Sequence, residues 1–103
     1  MVYLWRDLRI ARRAKVADRA TANAILRFIP ERARWVEAET WHPVQEGVRL
    51  PDGSFRLAIP YGDPRELVMD ILRNGAGVAV ESPNELKRLV AEEAKKIAAQ
   101  YLP

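Results

Sequence analysis

Histidine is the side chain best suited to acid–base chemistry near neutral pH, and this sequence contains one, His42, between Trp41 and Pro43. A histidine base needs a nucleophile and an orienting carboxylate, and a zinc site needs further His or Cys ligands. The sequence has no Cys and no second His, and it contains no Gly-rich phosphate loop. We therefore predict no catalytic residue, no metal site and no cofactor, and we expect a protein that is not an enzyme.

The Trp41–His42 pair has two other interpretations. Pro43 disfavours the helical conformation for the residue before it, so a helix that begins at Pro30 should end at about Trp41. His42 would then cap the last carbonyls of that helix while Trp41 packs on the core. Alternatively, a rigid loop beside an aromatic ring would form the edge of a nucleotide pocket.

Length and composition limit the class of protein to which the chain can belong. The chain has 103 residues, of which 49% are hydrophobic and 30% charged, so one small globular domain is expected. The absence of Cys fits a reducing compartment. No apolar run approaches the ~18 residues of a membrane span, and the first residues are too polar for a signal peptide. These features predict a cytoplasmic protein without a membrane partner.

Arginine is the other residue type here that could bind a ligand, because its guanidinium forms paired hydrogen bonds to phosphate. The net charge is +3, and residues 1–19 contain six basic and two acidic residues, whereas the remainder contains 11 basic and 12 acidic ones. A basic segment of this kind either attracts a phosphate backbone or forms a solvated surface. The composition leaves both interpretations open.

The order of elements predicts an α+β fold. Residues 24–29 are β-prone, and a helix follows from Pro30; "GVRL" and "FRLAI" then flank the turn "PDGS" as a hairpin. "DPRE" and "SPNE" begin two further helices on either side of the strand "GVAVE". This succession indicates a ferredoxin-like βαββαβ sandwich with an added C-terminal helix over residues 23–103. Residues 1–22 are predicted to be a separate basic segment that contains an extra N-terminal strand.

The alternation of side chains along the strands predicts which face of the sheet carries the arginines. We expect apolar residues to point towards the helices: Leu26, Phe28, Val48, Leu50, Phe55, Leu57, Ile59, Val78 and Val80. Arg27, Arg49 and Arg56 would then share the opposite, open face. These arginines are either solvated residues of a half-buried sheet or contacts for a phosphate or a partner.

The sequence "ILRFIPERARWVEAETWHPVQEGVRLPDGSFRLAI" resembles the C-terminal extension, or WCX domain, of WYL-domain transcription regulators. The resemblance covers residues 24–102 and includes the Arg27–Phe28 pair, the Trp41-His42-Pro43 run and a last helix that ends near Tyr101. "LRIARR" at residues 8–13 is more weakly similar to the last segment of a WYL domain. Arg9 and Arg12 match its two arginines, whereas Ala11 and Arg13 replace its Asp and Ile.

The resemblance implies a ligand-sensing and dimerisation domain of a bacterial regulator. In that family a winged helix-turn-helix, absent from this chain, contacts promoter DNA, and the WYL domain and its extension sense a nucleic-acid or nucleotide effector. A homodimer is therefore expected, with Trp41 and His42 as the pocket edge and the effector held by basic side chains: Arg9, Arg12, Arg27, Arg49 and Arg56. The alternative is a structural module that only self-associates.

Overall fold

A computed structural model describes residues 22–103 of the chain. In chain order its elements are β1 (Ala22–Phe28), α1 (Pro30–Glu37), β2 (Glu46–Arg49), β3 (Phe55–Tyr61), α2 (Pro64–Arg73), a 3-10 turn (Gly75–Gly77), β4 (Val78–Ser82) and α3 (Asn84–Ala99). The predicted α+β class is confirmed. The predicted N-terminal strand, Arg9 and Arg12 lie outside the described residues.

The four strands form one sheet in the order β2-β3-β1-β4, and every neighbouring pair is antiparallel. One hydrophobic cluster joins alternate residues of β1 and β3 to residues of all three helices, so the helices cover one face of the sheet. The buried strand residues are Ala24, Leu26, Phe28, Phe55, Leu57, Ile59 and Val80. The residues between them form the open face. No helix within residues 22–103 has the length and apolar character needed to cross a membrane.

The helix boundaries follow the predicted signals at α2 and depart from them at α3. The carboxylate of Asp63 accepts a hydrogen bond from the backbone N–H of Arg65 at 3.0 Å, and α2 gives way at Asn74 to Gly75, whose φ is +56°. The "SPNE" signal predicts Ser82 as the N-cap of α3, and that prediction is wrong. Ser82 is the last residue of β4, where it pairs with Ile25, and α3 starts after Pro83 without a side-chain cap.

Helix α1 ends four residues before the predicted position. Its last residue is Glu37, because the following chain turns back towards the core instead of continuing along the helix axis. Gln45 stabilises that turn: its side-chain oxygen accepts hydrogen bonds from the N–H groups of Trp41 and His42, at 2.5 and 2.9 Å. Its amide nitrogen donates to the carbonyl of Glu39 at 3.0 Å. These bonds replace the helical ones that the backbone would otherwise form.

Candidate functional site

The open face of the sheet carries two arginines side by side. Arg27 on β1 lies directly opposite Arg56 on β3, and residues directly opposite in an antiparallel pair project to the same face. Their side chains are 42% and 43% exposed. The prediction that Arg27 and Arg56 share the open face is therefore confirmed. Side chains directly opposite each other on neighbouring strands are close enough for two guanidinium groups to contact one phosphate.

Both arginines already have carboxylate partners. Arg56 forms a two-bond ion pair with Glu81 on β4, at 2.6 Å from Nε and 3.2 Å from Nη2. Arg27 reaches the same carboxylate at 3.9 Å and donates a closer hydrogen bond, at 2.6 Å, to Asp52 in the β2–β3 turn. The two carboxylates offset the repulsion between like charges placed opposite each other on neighbouring strands.

The ion pairs shift the pKa of the carboxylates. Hydrogen bonds from the side chain and backbone of Ser54, with a smaller contribution from Arg27, lower the pKa of Asp52 to about 2. The hydrogen bonds from Arg56 lower the pKa of Glu81, and the same contact raises the pKa of Arg56. Asp52, Glu81 and Arg56 are therefore charged at neutral pH, so an anionic ligand would compete with carboxylates for the guanidinium groups.

Arg49 lies on the other side of the sheet, so its predicted place beside Arg27 and Arg56 is wrong. On β2, Arg49 pairs with the buried Phe55, and its guanidinium donates to Glu37 of α1 at 2.5 Å. The prediction for Val48 is wrong for the same reason, because Val48 pairs with Arg56 and is 58% exposed. The register shifts every side chain of β2 to the face opposite to the predicted one.

Gly47 explains why β2 accepts this register. A Cβ atom at Gly47 would lie 2.2 Å from Cζ of Phe55, so the ring of Phe55 occupies the space that a side chain would need. The ring of Phe55, which belongs to β3, thus covers the helix-side face of β2. For this reason β2 needs no apolar side chain of its own on that face.

The described part of the open face is not strongly basic. Glu46 pairs with Ala58, two residues from Arg56, and so lies on the same face as the two arginines. Together with Asp52 and Glu81, it gives this face three carboxylates against two guanidinium groups. The face therefore offers specific paired contacts to an anion rather than a broad positive potential.

Trp41 and His42 form a buried corner, at 8% and 3% exposure. The Trp41 ring packs edge-on against Phe28, with centroids 5.6 Å apart and planes at 76°. Nδ1 of His42 accepts a hydrogen bond from the N–H of Val44 at 3.1 Å. His42 therefore bonds the backbone of its own turn, and its burial beside Trp41 agrees with the predicted structural corner; capping of the helix carbonyls by His42 stays a prediction. Its contact with an effector stays a prediction.

A cavity of about 150 Å³ lies at the end of β3 and the start of α2, and neither Arg27 nor Arg56 lines it. Its lining is mainly apolar: Ile59, Pro60, Tyr61, Gly62, Asp63, Glu66 and Leu67. Within residues 22–103, no three acidic or histidine side chains are grouped so that they could hold a metal ion.

Sequence reasoning missed Asp52 and Glu81. Glu81 could have been placed on the open face, because it alternates with the apolar residues Val78 and Val80 that point towards the helices. Asp52 was interpreted only as a turn residue. Its position beside Arg27 depends on how far the hairpin turn bends over β1, which local sequence does not reveal.

The family model described as the WCX domain matches residues 20–98, which is most of the chain. A search of curated proteins finds no match. The family match agrees with the resemblance of residues 24–102 and includes the strands that carry Arg27, Arg56 and Glu81.

Proposed function

We propose that this chain, which belongs to the WCX domain family, is the effector-sensing and dimerisation part of a WYL-type transcription regulator in the cytoplasm. Its role would be binding rather than catalysis, with a nucleic-acid strand or a nucleotide as the effector. Promoter DNA would be read by a winged helix-turn-helix elsewhere in the regulator.

The Arg27–Arg56 pair is the observation that carries the proposal. Its guanidinium groups are adjacent, half-exposed and held by other side chains in fixed directions, so less side-chain freedom is lost when a phosphate binds. A phosphate oxygen would replace the carboxylate of Glu81 or Asp52 on one side of each guanidinium. Arg49 projects to the opposite face, so it belongs to the effector site only if an effector also contacts the helix side.

Regulation would follow from a shift between two arrangements of the regulator's protomers. The effector changes that equilibrium only if it binds one arrangement more tightly than the other. Contacts at the open face would supply this difference if the basic segment at residues 1–19, which contains Arg9 and Arg12, also contacts the effector in one arrangement.

The test is the binding of a fluorescently labelled single-stranded DNA to the full chain. The affinity is measured by fluorescence anisotropy at salt concentrations from low to physiological. The Arg27→Ala/Arg56→Ala variant should bind at least about tenfold more weakly, and the slope of log affinity against log salt should fall by about 1.4. Arg49→Ala/Arg65→Ala removes the same charge from other surfaces and serves as the control. Equal losses in both variants, or no loss in either, would contradict the site assignment.

A purely structural self-association module is the second candidate. The observation that favours it is the pairing of Arg27, Arg56 and Arg49 with carboxylates of the same domain. These pairs satisfy the guanidinium groups without an effector. A dimer that forms and shows no oligonucleotide binding at low salt would support this candidate.

We also propose a ferredoxin-like classification for the fold. The succession of two strand-helix-strand units and the order β2-β3-β1-β4 support it, and α3 is then the added C-terminal helix.

A further inference from the structure

Two hydrogen bonds hold the side-chain carboxamide of Asn74 at the end of α2. Its oxygen Oδ1 accepts a hydrogen bond from the guanidinium of Arg32 on α1 at 2.7 Å, and its nitrogen Nδ2 donates to the backbone carbonyl of Asp70 at 3.0 Å. The stem of Arg32 lies across Gly77, where an added Cβ would come within 2.7 Å of the Arg32 Cγ. The carboxamide therefore joins α1 to the turn that leads from α2 to β4.

Gly75 follows Asn74, and the two residues form the only Asn-Gly pair in the sequence. The backbone nitrogen of the residue after an asparagine can attack the side-chain carbonyl carbon. Glycine permits this attack best, because it has no Cβ to crowd the close approach. Gly75 is exposed, and no atom of the described residues lies within 4 Å of a Cβ added there. The turn around Gly75 is therefore open to water.

We propose that Asn74 is a site of spontaneous deamidation and that Arg32 controls its rate. In the first step the Gly75 nitrogen forms a bond to Cγ of Asn74. The proton of the Gly75 N–H passes through solvent to the side-chain nitrogen, which leaves as ammonia. In the second step water hydrolyses the resulting cyclic imide to aspartate or isoaspartate. Water is the co-reactant, and nothing is oxidised or reduced.

The folded backbone does not permit the first step. Asn74 has a φ of −88° and a ψ of −4°. At a ψ near zero the nitrogen of the next residue eclipses the backbone nitrogen of Asn74, so it points away from the side chain that it must attack. The end of α2 must therefore open before the bond can form. Because the hydrogen bond from Arg32 stabilises the closed turn, its loss should raise the open fraction and with it the reaction rate.

Deamidation would weaken the end of α2. An aspartate at residue 74 lacks the N–H that donates to the carbonyl of Asp70. It also places a negative charge at the C-terminal end of the helix, where the helix dipole disfavours it. Isoaspartate adds a methylene group to the main chain of a turn whose next residue, Gly75, has a φ of +56°. The modification would thus loosen the connection between α1, α2 and β4 at a pace set by Arg32.

Peptide mass spectrometry of the full 103-residue chain, incubated at mildly alkaline pH, tests the proposal. Asn74 should be converted faster than Asn23 and Asn84, which precede Ala24 and Glu85. Its conversion should also be at least about tenfold faster in guanidinium chloride than in the folded chain, because the denatured backbone is free to adopt the reactive conformation. No conversion of Asn74 in denaturant would overturn the site, and equal rates in the two solutions would overturn control by the fold.

The role of Arg32 is tested by substitution. Arg32→Ala should raise the rate in the folded chain at least about threefold and leave the rate in denaturant unchanged. Arg32→Lys keeps the stem and a cationic donor and should give an intermediate rate. Arg34→Ala is the matched control, because Arg34 is an exposed arginine of the same helix that stacks on Trp35 at 5.0 Å. Circular dichroism confirms that each variant is folded.

Two results would contradict the assigned role of Arg32. A slower reaction in Arg32→Ala would show that the guanidinium activates the carboxamide instead of holding the turn closed. An equal rate in Arg32→Ala and in the parent chain would show that the contact with Asn74 has no influence on deamidation.

Discussion

Arg27 and Arg56 lie directly opposite each other on neighbouring strands, and both guanidinium groups contact the carboxylate of Glu81, at 3.9 and 2.6 Å. This carboxylate holds two like charges together in the free domain, and in the proposed function it is also the group that a phosphate must displace. Stability and effector affinity should therefore respond to Glu81 in opposite directions.

Glu81→Gln tests that opposition. Loss of the carboxylate should lower the free energy of unfolding by about 0.5–1 kcal/mol, since the pair is partly exposed, and raise oligonucleotide affinity about two- to fivefold. Urea unfolding and fluorescence anisotropy measure the two effects. Glu37→Gln removes the partner of Arg49 on the helix side and should leave affinity unchanged. A gain of affinity in both variants would point to net charge rather than to this site.

Acid should weaken the turn that carries Asp52. Its pKa is about 2 in the folded domain and 3.8 as the ordinary value, so ionised Asp52 contributes its full stabilisation above about pH 4. That contribution is lost as the pH falls from about 4 to 2. The measurement is a carboxyl carbon NMR titration with thermal unfolding over the same pH range. Ser54→Ala should raise the pKa of Asp52 towards its ordinary value and leave Asp63 unchanged, because Arg65 lowers the pKa of Asp63. An Asp52 titration identical in both proteins would contradict the assigned cause.

Gly47→Ala should destabilise the domain by about 1–3 kcal/mol, because the new Cβ would overlap the ring of Phe55. Urea unfolding measures the change. Val48→Ala is the control on the same strand: Val48 is 58% exposed, and its truncation should cost no more than about 0.5 kcal/mol. Equal losses of stability in the two variants would show that the position of the Phe55 ring does not require a glycine at residue 47.

Gln45→Ala should cost about 1–3 kcal/mol of unfolding free energy, because the backbone N–H groups of Trp41 and His42 lose a part-buried acceptor. Gln100→Ala, at the exposed end of α3, removes the same side chain with little expected change. Near-ultraviolet circular dichroism should also report a loosened Trp41. A stable Gln45→Ala variant with an unchanged Trp41 signal would remove Gln45 as the organiser of the corner.

Sequence patterns predicted β1, β3 and β4 well because each has strongly apolar residues at alternate positions. Burial of Leu26 and Phe28 on one side places Arg27 on the other, and Leu57 and Ile59 do the same for Arg56. The class of fold and the order of elements follow from these strands together with the proline and capping signals of the helices.

The errors arose where tertiary contacts outweigh local pattern. Strand β2 has four residues, all exposed, so alternation could not assign its faces, and the ring of Phe55 over Gly47 decided its register. The early end of α1 depends on the Gln45 side chain, which substitutes for helical hydrogen bonds. The ion pairs of Arg27 and Arg56 join residues 25 positions apart, beyond the reach of any local signal.

The most direct test of the proposed effector site is a titration of the full chain with single-stranded DNA, observed through the Nε–Hε resonances of its arginines by NMR. The Arg27 and Arg56 resonances should shift in a saturable way, and the shift of Arg56 should report the replacement of Glu81 by the phosphate. The resonances of Arg49 and Arg65 should not shift. Saturable shifts at other arginines with Arg27 and Arg56 unmoved, or no shift at low salt, would contradict the open sheet face as the site.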